Sequence, residues 1–169
     1  MAGRRVYFSF HYDNDIWRAS NVRKSAQFDA VARTPWTDAS LWEEAKRKGD
    51  EAIRRLIDNG LKNTSVTAVL IGSETASRRW VRYEIEKSIQ RGNGLVGVRI
   101  HAIKGEDGKR SKAGPVPNAL KDGGYPVYDW SARKLGNEVE LAAIKAGKPC
   151  LTHKTEGCWR CRFWNWLQI

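Results

Sequence analysis

The chain has 169 residues, 41% hydrophobic and 29% charged, with 30 Lys and Arg against 19 Asp and Glu for a net charge of +11. That length suits one domain with a real core and little else, and the apolar fraction is too high for a disordered chain. No apolar stretch approaches a bilayer span and no signal-peptide core follows Met1, so a cytoplasmic protein without membrane contact is expected. Three cysteines, all within the last twenty residues, do not make a disulfide framework. The positive charge suits an anionic partner. Its carriers are nevertheless scattered: Arg4-Arg5, Lys46-Arg47-Lys48, Arg54-Arg55, Arg78-Arg79 and Lys109-Arg110. No nucleic-acid motif frames them, so they read as solvated helix faces, and nucleic acid is not expected as a partner.

In chain order, residues 4–10 alternate and are rich in Val, Tyr and Phe, which predicts a strand. A short helix is expected from Asp13 or Asn14, with Ile16, Trp17 and Val22 as its apolar positions. Residues 28–32 suggest a weaker strand, and 33–40 (Arg-Thr-Pro-Trp-Thr-Asp-Ala-Ser) a loop. Ser40 with Glu43 forms a capping-box pattern. Leu41, Ala45, Gly49, Ile53 and Leu56-Ile57 then recur at helical spacing up to Gly60. Residues 65–71 form a continuous apolar run closed by Gly72, as a strand covered on both faces would. A helix is expected from Thr75 or Ser77 to Arg91, with Val81, Ile85 and Ile89 as its buried stripe. A second buried strand follows at 95–100. Residues 104–118 are polar, rich in Gly, Pro and Lys, and without period. A short strand at 126–128 and a helix at 131–145 complete the order. This alternation predicts an α/β fold with a doubly wound, flavodoxin-like parallel sheet of about five strands and helices on both faces. Its ligand crevice belongs at the carboxyl ends of the strands.

There is no GxGxxG, no GxxxxGK[ST] and no GxSxG, so no phosphate-binding or nucleophile-elbow motif is available. His11, His101 and His153 lie far apart, and no metal site is expected from them. What remains is the helix carrying Trp80, Glu84 and Ser88, spaced four apart on one face. An aromatic ring one turn before a carboxylate can stack on a flat group while the carboxylate reaches a hydroxyl or cation. Spacing alone leaves open an ordinary amphipathic helix whose Glu84 pairs with a surface base.

Two segments resemble a known family. Val6-Tyr7-Phe8-Ser9-Phe10-His11 resembles the first strand of Toll/interleukin-1 receptor (TIR) domains, and Trp80-Val81-Arg82-Tyr83-Glu84 resembles the Trp-x-x-x-Glu of NAD-cleaving TIR domains. Longer phrases are similar to the TIR-like proteins of the Thoeris anti-phage system. These are Ser9-Phe10-His11-Tyr12, Trp42-Glu43-Glu44-Ala45-Lys46-Arg47-Lys48-Gly49-Asp50, Val69-Leu70-Ile71-Gly72-Ser73-Glu74-Thr75 and residues 80–87. The similarity covers about residues 4–148, which divides the chain into a TIR-like domain at 1–148 and an atypical Cys- and Trp-rich tail at 149–169.

The resemblance implies that NAD is the substrate, with no further cofactor, and that Glu84 is catalytic. The product would be a cyclic ADP-ribose-type messenger that activates a separate effector protein, with a phage-derived trigger and a homo-oligomer as possible partners. Trp80 or an aromatic from Phe10 to Tyr12 would stack on a base, and His11 stands at the end of the first strand, by the crevice. Asp38 and Ser40 admit two readings, as caps of the following helix or as polar contacts to the ribose. A non-catalytic TIR-like assembly module is the alternative function. In the tail, Cys150-x-x-His153 and Cys158-x-x-Cys161 have knuckle-like spacing, but four residues between the halves are few for a zinc ribbon.

Overall fold

The structure is a computed structural model that describes residues 4–24 and 39–148. Among the described residues four strands form the sheet: β1 (Val6–Ser9), β2 (Val66–Ile71), β3 (Gly94–Arg99) and β4 (Val127–Asp129). They lie in the order β1-β2-β3-β4, and every pair is parallel, with Val6 opposite Val66, Val66 opposite Gly94 and Gly97 opposite Val127. The strand expected at 28–32 lies outside the described residues. Six α-helices accompany the sheet among the described residues: α1 (Tyr12–Lys24), α2 (Ala39–Lys48), α3 (Asp50–Leu61), α4 (Arg79–Gln90), α5 (Asn118–Asp122) and α6 (Leu135–Lys145).

The period-two alternation of a strand assigns the side chains to two faces. Val6, Phe8, Val66, Ala68, Leu70, Val96 and Val98 pack with Ala19 and Val22 of α1 and with Leu135, Val139, Ala142 and Ala143 of α6. On the other face, Tyr7 packs with Trp42 and Ala45 of α2 and Ile53, Ile57 and Leu61 of α3. Val69, Ile71 and Leu95 pack there with Val81 and Ile85 of α4 and with Leu120. The sheet is therefore covered on both sides, as the continuous apolar runs require. After β1 the chain leaves by α1 on one face and reaches β2 by way of α3 on the other. The carboxyl end of β1 is thus where the winding changes face, and in such sheets that is where a crevice opens.

Several local expectations are corrected. The long helix expected from 41 to 60 is two helices, because Gly49 adopts φ 94°, a conformation that breaks the helix and suits glycine. Ser40 lies within α2, whose first described residue is Ala39. In α1 the buried positions are Tyr12, Asp15, Arg18, Ala19 and Val22, while Trp17 is 48% exposed. Burial of the Asp15–Arg18 pair turns the helix so that Trp17 faces outward. On α4 the buried line includes Glu84 and Ser88 beside Val81 and Ile85, and Ile89 is exposed. Hydrogen bonds between those two polar residues and the sheet rotate the helix in that direction. The short helix α5 begins at the last residue of the segment read as loop.

Candidate active site

The site is built where α4 crosses the carboxyl end of β1. Alternation along β1 sends Tyr7 and Ser9 toward α4, and the second turn of α4 sends Glu84 toward β1. Tyr7 donates its hydroxyl to Glu84 Oε1 at 2.6 Å, and Ser9 donates to Glu84 Oε2 at 2.5 Å. All three side chains are buried. The helix is fixed one turn later, where Ser88 bonds the Glu84 carbonyl and the Thr67 hydroxyl of β2 lies 2.7 Å from Ser88 Oγ.

Burial governs the electrostatics. Desolvation raises the Glu84 carboxyl from 4.5 to about 7, against the hydrogen bonds from Ser9 and Tyr7, which lower it. The Tyr7 phenol is pushed well above its ordinary value, by burial first and then by the Glu84 charge. Tyr7 therefore stays a donor throughout the physiological range. A carboxyl near neutrality in a dry setting is poised to change charge, which is a frequent mark of a functional position.

Aromatic side chains surround this carboxyl's support. Phe10 and Tyr12 stack with centroids 5.8 Å apart, and Tyr12 stacks on Trp42 at 5.2 Å. Trp80, half-buried, meets Tyr83 edge-on at 5.9 Å and lies 4.5 Å below the Arg79 guanidinium. Phe10, Tyr12, Trp42 and Trp80 belong with Tyr7 to one packed cluster. The structure thus brings together Glu84, Phe10, Tyr12 and Trp80 from the sequence-predicted set.

His11 faces another polar group. Its Nε2 is 3.8 Å from Asp13 and its Nδ1 3.9 Å from Glu74, with Nδ1 lacking a hydrogen-bond partner. Burial, then the Arg78 charge, hold its pKa below the ordinary imidazole value. Ser40 is exposed on α2, two residues before Trp42. Asp38 and the tail, with its cysteines and His153, lie outside the described residues. Among the described residues no cluster of three or more His, Cys, Asp or Glu is placed to hold a metal. No helix there is long and apolar enough to cross a membrane.

Sequence reasoning missed Tyr7, Ser9 and Trp42 as site residues. The signal for the first two was present in the alternation of β1, but nothing in the sequence says which helix covers that face.

Residues 7–104 match the family model described as Thoeris protein ThsB, TIR-like domain. That span is more than half of the chain and contains every residue of the Glu84 site. The chain belongs to the ThsB TIR-like family of Thoeris proteins. It is also 41% identical over 154 residues, covering 86% of this chain and 80% of the other, to a Bacillus cereus (strain MSX-D12) protein named "Putative cyclic ADP-D-ribose synthase ThsB1". As a ThsB-family member it has the expected α/β architecture, with its all-parallel sheet between two helical layers.

Proposed function

We propose that this protein cleaves NAD between nicotinamide and ribose and closes the remaining nucleotide into a cyclic ADP-ribose-type messenger. In anti-phage defence that messenger would activate a separate effector. The observation that carries the proposal is Glu84, a buried carboxylate fixed by Tyr7 and Ser9 beside an aromatic cluster at the carboxyl end of β1. Membership of the ThsB family and likeness to a protein named as a cyclic ADP-D-ribose synthase support it.

The chemistry follows from the bond. Nicotinamide is held to ribose as a pyridinium and leaves as a neutral base, so no strong general acid is required. The C1′ centre left behind develops oxocarbenium character, as in glycoside cleavage generally. An anionic Glu84 stabilises that positive charge and accepts hydrogen bonds from ribose hydroxyls, most effectively where water is excluded. Phe10, Tyr12 or Trp80 supply flat apolar surface for the nicotinamide or adenine ring. Asp38 and Ser40 are polar candidates at the ribose, and His11 a candidate contact at the end of β1. Capture of C1′ by another atom of the same nucleotide gives the cyclic product, and capture by water gives ADP-ribose. NAD is substrate here, and the reaction needs no further cofactor. The 1–148 domain carries the chemistry, and the 149–169 tail is assigned no part in it.

The test is Glu84→Gln, which keeps the shape and removes the charge. Nicotinamide release should fall by roughly 10²–10³-fold or more, by analogy with the removal of one transition-state-stabilising group. The cyclic nucleotide should vanish from phage-infected cells, as read by mass spectrometry. Retained turnover in this variant would refute the assignment. A wild type that makes no nucleotide even in infected cells would favour an assembly module.

A further inference from the structure

A buried carboxylate can be held by its environment in many ways, and here both oxygens are taken by hydroxyls from a single strand. Tyr7 and Ser9 are two apart on β1, so their side chains leave the same face, and α4 lays Glu84 across both. The two bonds run to different oxygens, which fixes the plane of the carboxyl as well as its position. Among the described residues, the charge that α3 brings to α4 meets other side chains than Glu84, with Asp50 paired to Arg79. β2 presents Thr67, Val69 and Ile71, β3 presents Leu95, and α5 presents Leu120. From α3, Asp58 accepts from Tyr83 and acts electrostatically on Tyr7 rather than on Glu84. The hydroxyl pair is thus what opposes burial at this carboxyl.

We infer that Tyr7 and Ser9 are positioning residues for the NAD-cleaving reaction, holding the Glu84 carboxylate in one orientation and in its anionic form. Both hydroxyls donate, and a donor favours the charged acceptor over the protonated one. The inference rests on Glu84 being the catalytic group. It adds that the strand beneath, and not the helix alone, sets how much of that group is active at neutral pH. Ser9 is also the last residue of β1, directly before Phe10, His11 and Tyr12. The strand end that orients the carboxylate therefore also leads into the aromatic cluster.

The experiment uses Tyr7→Phe, which keeps the ring in the core, Ser9→Ala, and Glu84→Gln as a blank. In full-length protein carrying ¹³C-labelled glutamate carboxyls, the Glu84 resonance is the one missing from Glu84→Gln. Its midpoint in wild type should lie near 7 and should rise by about one pH unit in each hydroxyl variant, since a hydrogen bond to a charged group contributes about that much. Nicotinamide release from added NAD is then followed from pH 5.5 to 9 in lysates of phage-infected cells, with the Glu84→Gln lysate subtracted. The acid limb should move upward with the resonance. At pH 7 kcat should fall about fivefold, with KM within about twofold, and raising the pH to 9 should restore most of the loss. A merely structural role would lower thermal stability without moving either pH curve. Unmoved curves in both variants, or a shifted resonance with an unshifted activity profile, would overturn the inference. Activity in Glu84→Gln would instead remove the reading on which it rests.

Discussion

Glu84 is where two opposing effects meet at one side chain. Burial disfavours its charge and the two hydroxyls favour it, and burial prevails, leaving the carboxyl at about 7. A folded-state value above the unfolded value of 4.5 means that the folded protein holds this proton more tightly than the unfolded chain. Stability from this group is therefore complete below about 4.5 and is lost as pH rises through 7, by on the order of 3 kcal/mol in total. Glu84→Gln carries no such proton. The stability difference between variant and wild type should then move in favour of Gln by roughly 2–3 kcal/mol between pH 5 and pH 8. Denaturant melts at the two pH values measure this, and any constant effect of the amide cancels between them. Parallel pH dependence in the two proteins would show that the carboxyl is not buried as described. His11 has the opposite sense: its lowered value keeps it neutral at pH 7, so it adds acid sensitivity rather than charge.

Among the elements, close approach of helix and sheet depends on particular glycines. At Gly94, the first residue of β3, an added Cβ would overlap the Ala142 carbonyl oxygen of α6. That atom is backbone and cannot swing aside, so the helix itself would have to lift from the sheet. Gly94→Ala should cost about 1–3 kcal/mol, the range for overpacking a filled interior, and the melting temperature should fall accordingly. An unchanged melt would mean that α6 sits farther from β3. Helix existence was legible from the sequence at 75–91 and 131–145 because apolar residues recur at 3.6 spacing there. The break at Gly49 was not, because glycine in a helical pattern reads as tolerated until its φ is known. The outward Trp17 and the inward Asp15 and Arg18 were likewise hidden, since a buried ion pair overrides the hydrophobic pattern of α1.

At the scale of the whole molecule, Arg18 ties the first helix to the long segment after β3. Its guanidinium donates to the carbonyls of Ile103 and Lys109 and pairs with buried Asp15 at 3.3 Å. The Gly/Lys-rich stretch that showed no period in sequence is thus fastened across the carboxyl edge of the sheet. Arg18→Ala would leave Asp15 buried without its cation and should destabilise the fold by roughly 3 kcal/mol. It should also open Lys104, Lys109, Arg110 and Lys112 to trypsin under native conditions. Limited proteolysis read by mass spectrometry checks this, and cleavage as slow as in wild type would remove the pin. The net charge of +11 takes a modest place in this picture. Several of its carriers are engaged in ion pairs, Lys46 with Asp13, Lys48 with Glu44 and Arg4 with Glu140 among them. The tail adds +2, from Lys154, Arg160 and Arg162 against Glu156, so residues 1–148 carry +9.

The α/β class and the strands from β1 to β4 were legible along the chain, and resemblance to NAD-cleaving TIR domains singled out Glu84. Period, run length and the Trp-x-x-x-Glu phrase are local properties, readable without knowing what lies opposite. That Glu84 faces inward, that Tyr7 and Ser9 are its partners 77 and 75 residues away, and that Trp42 joins Phe10, Tyr12 and Trp80 emerges with the packed fold. Those facts depend on which helix covers which face of a strand. That choice is made by packing between segments far apart in the chain, and neither pattern nor spacing along the chain encodes it.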